Sequence, residues 1–172
     1  MSSLQEAVNF AIAAHKGQVR KYDGSAYIMH PFSVMGMMTE FTADWEELAA
    51  AILHDTVEDC DDVTIEAIHE RFGERVASIV FYATEVSQKT DGNRATRKAM
   101  DRRHYSAGPG ESQDLKGVDM IDNIPTIVLM DPEFAGRYLE EKLLLLAVLT
   151  KMNPIIKERA ERLIQNMYKI LG

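Results

Sequence analysis

A histidine and three acids stand close together at His54-Asp55-Thr56-Val57-Glu58-Asp59. Mixed imidazole and carboxylate ligands suit borderline divalent metals such as Mn, Fe, Co or Zn better than Ca or Mg. The group follows an apolar helical run, Leu48-Ala49-Ala50-Ala51-Ile52-Leu53. If that helix continues, His54 and Glu58 share one face, and Asp55 and Asp59 form a second pair beside them. The C-terminal end of a helix carries partial negative charge, so acids there need compensation. Asp61 and Asp62 add to the conflict, and a bound divalent cation resolves it. The alternative is a polar helix end with a solvated acidic loop.

Two further residues complete a ligand set. His30 precedes Pro31 where a loop runs into a helix, and Asp119 lies in Gly117-Val118-Asp119-Met120-Ile121, where an acid between apolar neighbours needs a partner. Each alone has a structural explanation. His30 could be a satisfied structural histidine, and Asp119 a buried acid bonded to backbone or to a basic residue. Together, His30, His54, Asp55 and Asp119 form the expected metal site. A divalent metal lowers the pKa of water toward neutrality, and Glu58 and Asp59 are the expected proton-accepting pair beside it. The alternative for both is an exposed acidic loop, which is the expectation for Asp61 and Asp62.

Positive charge gathers at Arg20-Lys21, before His30, and at Arg94, Arg97, Lys98, Arg102 and Arg103. Arg94, Lys98 and Arg102 repeat at helical spacing on one face. Arginine forks fit phosphate oxygens. The alternative is a solvated helix with Asp91 and Asp101 as local partners. Asn123, one turn after Asp119, and Tyr27, three residues before His30, are candidates for ligand contact or for structure. A metal, a carboxylate pair and flanking cations imply metal-dependent hydrolysis of a polyanionic small molecule.

The elements that must place these residues are helical. The 172 residues include only five prolines, and no alternating strand of useful length is present. Helices are expected over residues 3–15, with Ser2 or Ser3 as cap and Leu4, Val8, Ala11 and Ile12 as stripe, then from His30-Pro31 through Phe41. A third, capped by Thr42 or Asp44, runs into His54. Others are expected from Thr64 to Phe72, over 74–86 with Val76, Ile79, Val80 and Ala83 inward, over 94–105 and over 112–130, where Pro125 kinks or ends the helix. Two more begin at Asp131-Pro132 and Asn153-Pro154. Gly17, Asp23-Gly24, Gly73 and Ser106-Ala107-Gly108-Pro109-Gly110 punctuate the chain. The expected architecture is all-α, a single domain over residues 1–172.

Composition bounds the partners. Nineteen basic against 27 acidic residues leave a net charge of −8, which argues against sequence-independent nucleic-acid binding. Cys60 is the only cysteine, so neither an intramolecular disulfide nor a cysteine-rich zinc site can form. No signal peptide and no run of membrane-spanning length is read, and a cytoplasmic setting is expected. Nothing indicates an oligomeric state.

Several segments carry a family resemblance: Ala13-Ala14-His15-Lys16-Gly17-Gln18-Val19-Arg20-Lys21, Tyr27-Ile28-Met29-His30-Pro31, Ala51 to Asp59 and Phe72-Gly73-Glu74-Arg75-Val76-Ala77. They resemble the hydrolase domain of the RelA/SpoT homologue family, and more narrowly a stand-alone small alarmone hydrolase within the HD phosphohydrolase superfamily. The likeness is dense over 7–86 and weaker over 115–123. It implies an HD-type helical fold and Mn-dependent removal of the 3′-pyrophosphate from guanosine tetra- and pentaphosphate, giving GDP or GTP. By motif, His30, His54, Asp55 and Asp119 hold Mn2+ or another divalent transition metal, and Glu58 and Asp59 position and activate water. Arg20, Lys21 and Asn123 match substrate-contacting positions. Tyr27, Lys98 and Arg102 join them as substrate candidates from their placement in the chain. The family pattern Lys-Leu-Ala-Asp reads here Lys116-Gly117-Val118-Asp119, and Gly117 costs about 1 kcal/mol relative to Ala in a helix, so a looser wall is expected there. The alternatives are an HD-type phosphohydrolase of another nucleotide or phosphorylated dinucleotide such as NADPH, and a nucleotide-binding non-enzyme.

Overall fold

Six consecutive residues, Leu48 to Leu53, are buried, and the helix that carries them organises the N-terminal part of the chain. The computed structural model describes residues 3–172, and among these the regular elements are helices, with one isolated bridge between Val19 and Ala26. Ser2 lies outside the described residues. The all-α expectation holds. The chain divides into two units, Met1–Thr84 and Glu85–Gly172.

In the first unit, α1 (Leu4–Ala14) starts at Ser3, whose side chain accepts from the Glu6 amide. Its buried face is Ala7 and Ala11, while Ile12 is 46% exposed. The expected stripe is therefore rotated toward the small residues, which allow close approach to the next layer. Gly17 ends the turn at φ +82°, a conformation that favours glycine. After α2 (Met29–Met38), Asp44 caps α3 (Trp45–Leu53) through the Glu46 amide. Helices α1, α2 and α6 (Glu74–Ala83) pack around α3. Arg75, on α6, binds Asp44, Glu46 and Glu47 at 2.6, 3.1 and 2.9 Å. The three acids sit at the positive N-terminal end of α3, where their charge is favourable, and the Arg75 fork ties that end to α6. Between them, α5 (Ile65–Phe72) is capped by Thr64 and ends at Gly73, φ +93°.

The continuous helix expected through His54 is interrupted. Helix α3 stops at Leu53, His54 and Asp55 form a turn, and a one-turn helix, α4 (Thr56–Asp59), follows. Thr56 Oγ1 donates to the Leu53 carbonyl at 2.7 Å and satisfies a chain-end acceptor of α3. This break replaces the face-sharing of His54 with Glu58.

In the second unit, α7 (Arg94–Ala107) is capped by Asn93, and α8 (Gly110–Met130) is the buried helix against which α7, α9 (Pro132–Val148) and α10 (Pro154–Leu171) pack. Helix α8 continues through Pro125. Gln113, buried at its start, donates to the Ser106 and Gly108 carbonyls and accepts from the Lys151 amide, so one side chain holds two turns. Asp101, fully buried, accepts from the Val86 and Ser87 amides and the Ser87 hydroxyl. It anchors the loop before α7 and, as expected for a local partner of the basic helix, also lies 3.7 Å from Lys98 Nζ through Oδ2. Gly117 also differs from expectation. A Cβ there would lie 2.7 Å from Ile156 Cγ2 and 2.8 Å from Met152 Cε. The glycine permits close approach of α10, so the wall is tight at this point.

Candidate metal centre

Three of the four expected ligands converge in the first unit. Metal-ligating atoms of His30, His54 and Asp55 lie within 4.8 Å of one another. His30 comes from the first turn of α2 and His54 and Asp55 from the turn after α3. Both histidines are 2% exposed. His54 Nε2 is 3.1 Å from Asp55 Oδ1, and His30 Nε2 is 3.3 Å from Asp55 Oδ2.

The tautomer of His54 follows from its other nitrogen. Nδ1 is 2.8 Å from the Ala51 carbonyl oxygen, which can only accept, so Nδ1 carries the proton. A neutral His54 then turns the Nε2 lone pair toward a carboxylate oxygen. Two electron-rich atoms at that separation repel unless a proton or a metal ion lies between them. An imidazole whose far nitrogen is bonded to a carbonyl is the usual supporting arrangement of a metal ligand. The negative end of α3 favours a cation at the same place. The donor set therefore fits a divalent metal.

Tyr27 closes the site from the loop side. Its hydroxyl is 2.8 Å from Asp55 Oδ2 and 2.6 Å from Asp59 Oδ2. One hydroxyl hydrogen cannot serve both carboxylates, so the trio needs a further proton or cation. Burial, Asp55 and Asp59 hold the Tyr27 hydroxyl far above the ordinary phenol range. Burial raises the Asp59 carboxyl, Tyr27 pulls it back, and the charge of Asp55 raises it further. Tyr27, a candidate for ligand contact or for structure, binds the expected ligand Asp55 and Asp59 of the expected proton-accepting pair. Glu58 is exposed on α4, as are Asp61 and Asp62 beyond it. Arg20 and Lys21 lie in the 17–28 loop, Arg20 half-buried and Lys21 exposed over the Tyr22 ring.

In the second unit, Asp119 is 6% exposed, 3.1 Å from Lys116 Nζ and bonded to Asn123 Nδ2 at 2.7 Å. The predicted one-turn relation of Asp119 and Asn123 is thus a direct hydrogen bond. Lys98 and Arg102 line a cavity of about 250 Å³ with Lys116, Tyr138, Glu141 and Lys142, among others. Arg94 forks onto Glu141 at 2.7 Å through two nitrogens, and Lys98 pairs with Glu85. Among the described residues, Arg102 and Lys142 form no ion pair there. Burial, then the charge of Lys116, brings the Lys142 ammonium down to about 8. Neither Lys116 nor Lys142 is marked as a site residue by the sequence pattern. Lys142 sits in a leucine-rich helix whose pattern reads as core, and only packing brings it to a cavity wall.

The sequence and the fold are similar to those of known proteins. The HD domain family matches residues 7–107. A relative from Oryza sativa subsp. japonica, named as a chloroplastic GTP diphosphokinase, is 33% identical over 171 residues, which is 94% of this chain and 19% of that protein. A guanosine-3′,5′-bis(diphosphate) 3′-pyrophosphohydrolase of Aquifex aeolicus (strain VF5) is 46% identical over 85 residues, 49% of this chain and 12% of that protein. The chain thus spans a fifth or less of the length of these curated relatives. Among solved structures, a metazoan SpoT orthologue that hydrolyzes ppGpp aligns with a TM-score of 0.83 at 21% identity, covering 95% of this chain and 94% of that one. At that identity the likeness speaks for the fold.

Proposed function

The chain belongs to the HD domain family, and on that premise we propose that it is a metal-dependent phosphohydrolase removing the 3′-pyrophosphate of guanosine tetra- and pentaphosphate. The observation that carries this reading is the buried His30, His54 and Asp55 set, with the His54 tautomer fixed by Ala51. The Aquifex relative's activity supports the substrate class. In this reading residues 1–172 work as one hydrolase domain. His30, His54 and Asp55 hold the ion, with Asp119 as fourth ligand by motif, and Mn2+ is the proposed metal.

A bound divalent ion there lowers the pKa of water and offsets phosphate charge. The remaining work falls to the chain. Asp59, held by Tyr27, and Glu58 orient the water and take its proton. Arg20 and Lys21 bind phosphate oxygens from the loop. Lys98, Arg102 and Asn123 bind the remainder of the nucleotide. Among the described residues no helix is long and apolar enough to cross a membrane, and the cytoplasm is the proposed compartment.

The test is incubation with ppGpp and Mn2+, reading pyrophosphate. Release of pyrophosphate that Asp119→Ala abolishes supports the reading. Turnover of another nucleotide such as NADPH, with none of ppGpp, moves the substrate. Binding of nucleotide without turnover of any overturns the enzymatic reading.

A further inference from the structure

His15 is buried at the end of α1, 2% exposed. Its Nδ1 lies 2.7 Å from Gln18 Oε1. Gln18 Nε2 lies 2.7 Å from the Asp59 carbonyl oxygen. That oxygen can only accept, so the amide nitrogen faces it, Oε1 faces His15, and His15 Nδ1 is the donor. The turn is also closed by the Gln18 amide on the His15 carbonyl at 3.1 Å.

The other side of the ring carries a second link. His15 stacks on Tyr27, with centroids 4.9 Å apart and planes 29° apart. Tyr27 is the residue whose hydroxyl reaches both Asp55 and Asp59. Helix α4 is a single turn and cannot by itself hold Asp59 in place. An apolar ring would fill the same space without leaving a nitrogen buried. His15 Nε2 is buried and has no hydrogen-bond partner among the described residues, a cost that packing alone does not explain.

We propose that His15 is a positioning residue: through Gln18 it holds the Asp59 main chain, and through Tyr27 it aims the carboxylates of Asp59 and Asp55. Its kinetic consequence rests on the hydrolase reading above.

The test compares His15→Phe, which keeps the stack and removes the donor, with Gln18→Met and the double variant. Supporting partners of a metal site typically affect activity by about 10–100-fold, so kcat is expected to fall by at least about tenfold in each single variant. KM should stay within about twofold, because neither residue touches substrate. Both variants break one chain of bonds, so the double variant should be no worse than the poorer single one. Amide exchange at residues 56–60 should quicken in all three. If His15→Phe fails to fold, Gln18→Met at its half-buried site decides. A kcat within about twofold of wild type, a loss confined to KM, additive losses or unchanged exchange overturns the proposal. Should wild type hydrolyse nothing, the hydrolase reading fails separately, and exchange at 56–60 alone decides this one: quicker exchange supports it and unchanged exchange overturns it.

Discussion

Replacing Gly117 by alanine sets two effects of known sign against each other. In an exposed helix the change stabilises by about 1 kcal/mol. Within α8 the new methyl would lie 2.7 Å from Ile156 Cγ2, 2.8 Å from Met152 Cε and 3.0 Å from Met152 Sδ. Ordinary carbon contacts are about 3.5–4.0 Å. The Met152 end is flexible and can swing aside. Ile156 cannot do so as easily, since it is fully buried and β-branched within α10, where one rotamer dominates. Either Ile156 leaves its rotamer, at about 0.5–1.5 kcal/mol, or α10 shifts and loosens its contact with α8. Overpacking of this kind costs about 1–3 kcal/mol. The clash outweighs the propensity gain, and Gly117→Ala should destabilise by about 1 kcal/mol. Urea unfolding measures it, with a Tm drop of roughly 2–4 °C as a second readout. The cycle with Ile156→Ala identifies the cause. With the isoleucine truncated the stiff clash is gone, and Gly117→Ala should then stabilise by up to about 1 kcal/mol. Stabilisation in the wild-type background, or the same effect in both backgrounds, would refute the close-approach argument.

Two further outcomes are expected. Mn2+ at about one hundred times its Kd should stabilise the fold by about 2.7 kcal/mol, raising Tm by roughly 5–11 °C, and His54→Ala should lose that shift; an equal shift in the variant would move the metal elsewhere. Burial raises the Glu141 carboxyl, but the hydrogen bonds and charge of Arg94 more than reverse this and leave it below its usual 4.5. A lowered folded-state pKa contributes stability above the unfolded value that is lost as pH falls through the folded one. Arg94→Met should therefore destabilise at neutral pH and much less near about pH 3; an equal loss in urea unfolding at both would remove Glu141 as the cause.

Much of the local structure is readable because its causes are local. Ser3, Asp44, Thr64, Asn93, Asp131 and Asn153 each accept from an amide in the first turn of the following helix. Pro132 and Pro154 open helices, and Gly17 and Gly73 close them with positive φ. Side-chain type, which sequence alone supplies, also determines that His30, His54 and Asp55 can act as ligands. Tertiary structure decided how they meet. The break at His54-Asp55 depends on Thr56 capping the end of α3, and neither apolar spacing nor acid spacing encodes it. His15, Gln18 and Tyr27 converge on Asp59 across a long loop, and loop paths are set by contacts distant in sequence. Gly117 reads as a weak point in a helix until Ile156 is placed against it, because a glycine's worth depends on what approaches its missing side chain. Asp101 and Lys142 look like surface charges, yet Asp101 is held inside by amides of the preceding loop and packing places Lys142 at a cavity wall. Composition and capping thus determined the helices and the available chemistry. The packing of α2 and α3, and the turn that follows α3, decided which side chains could share a single ion.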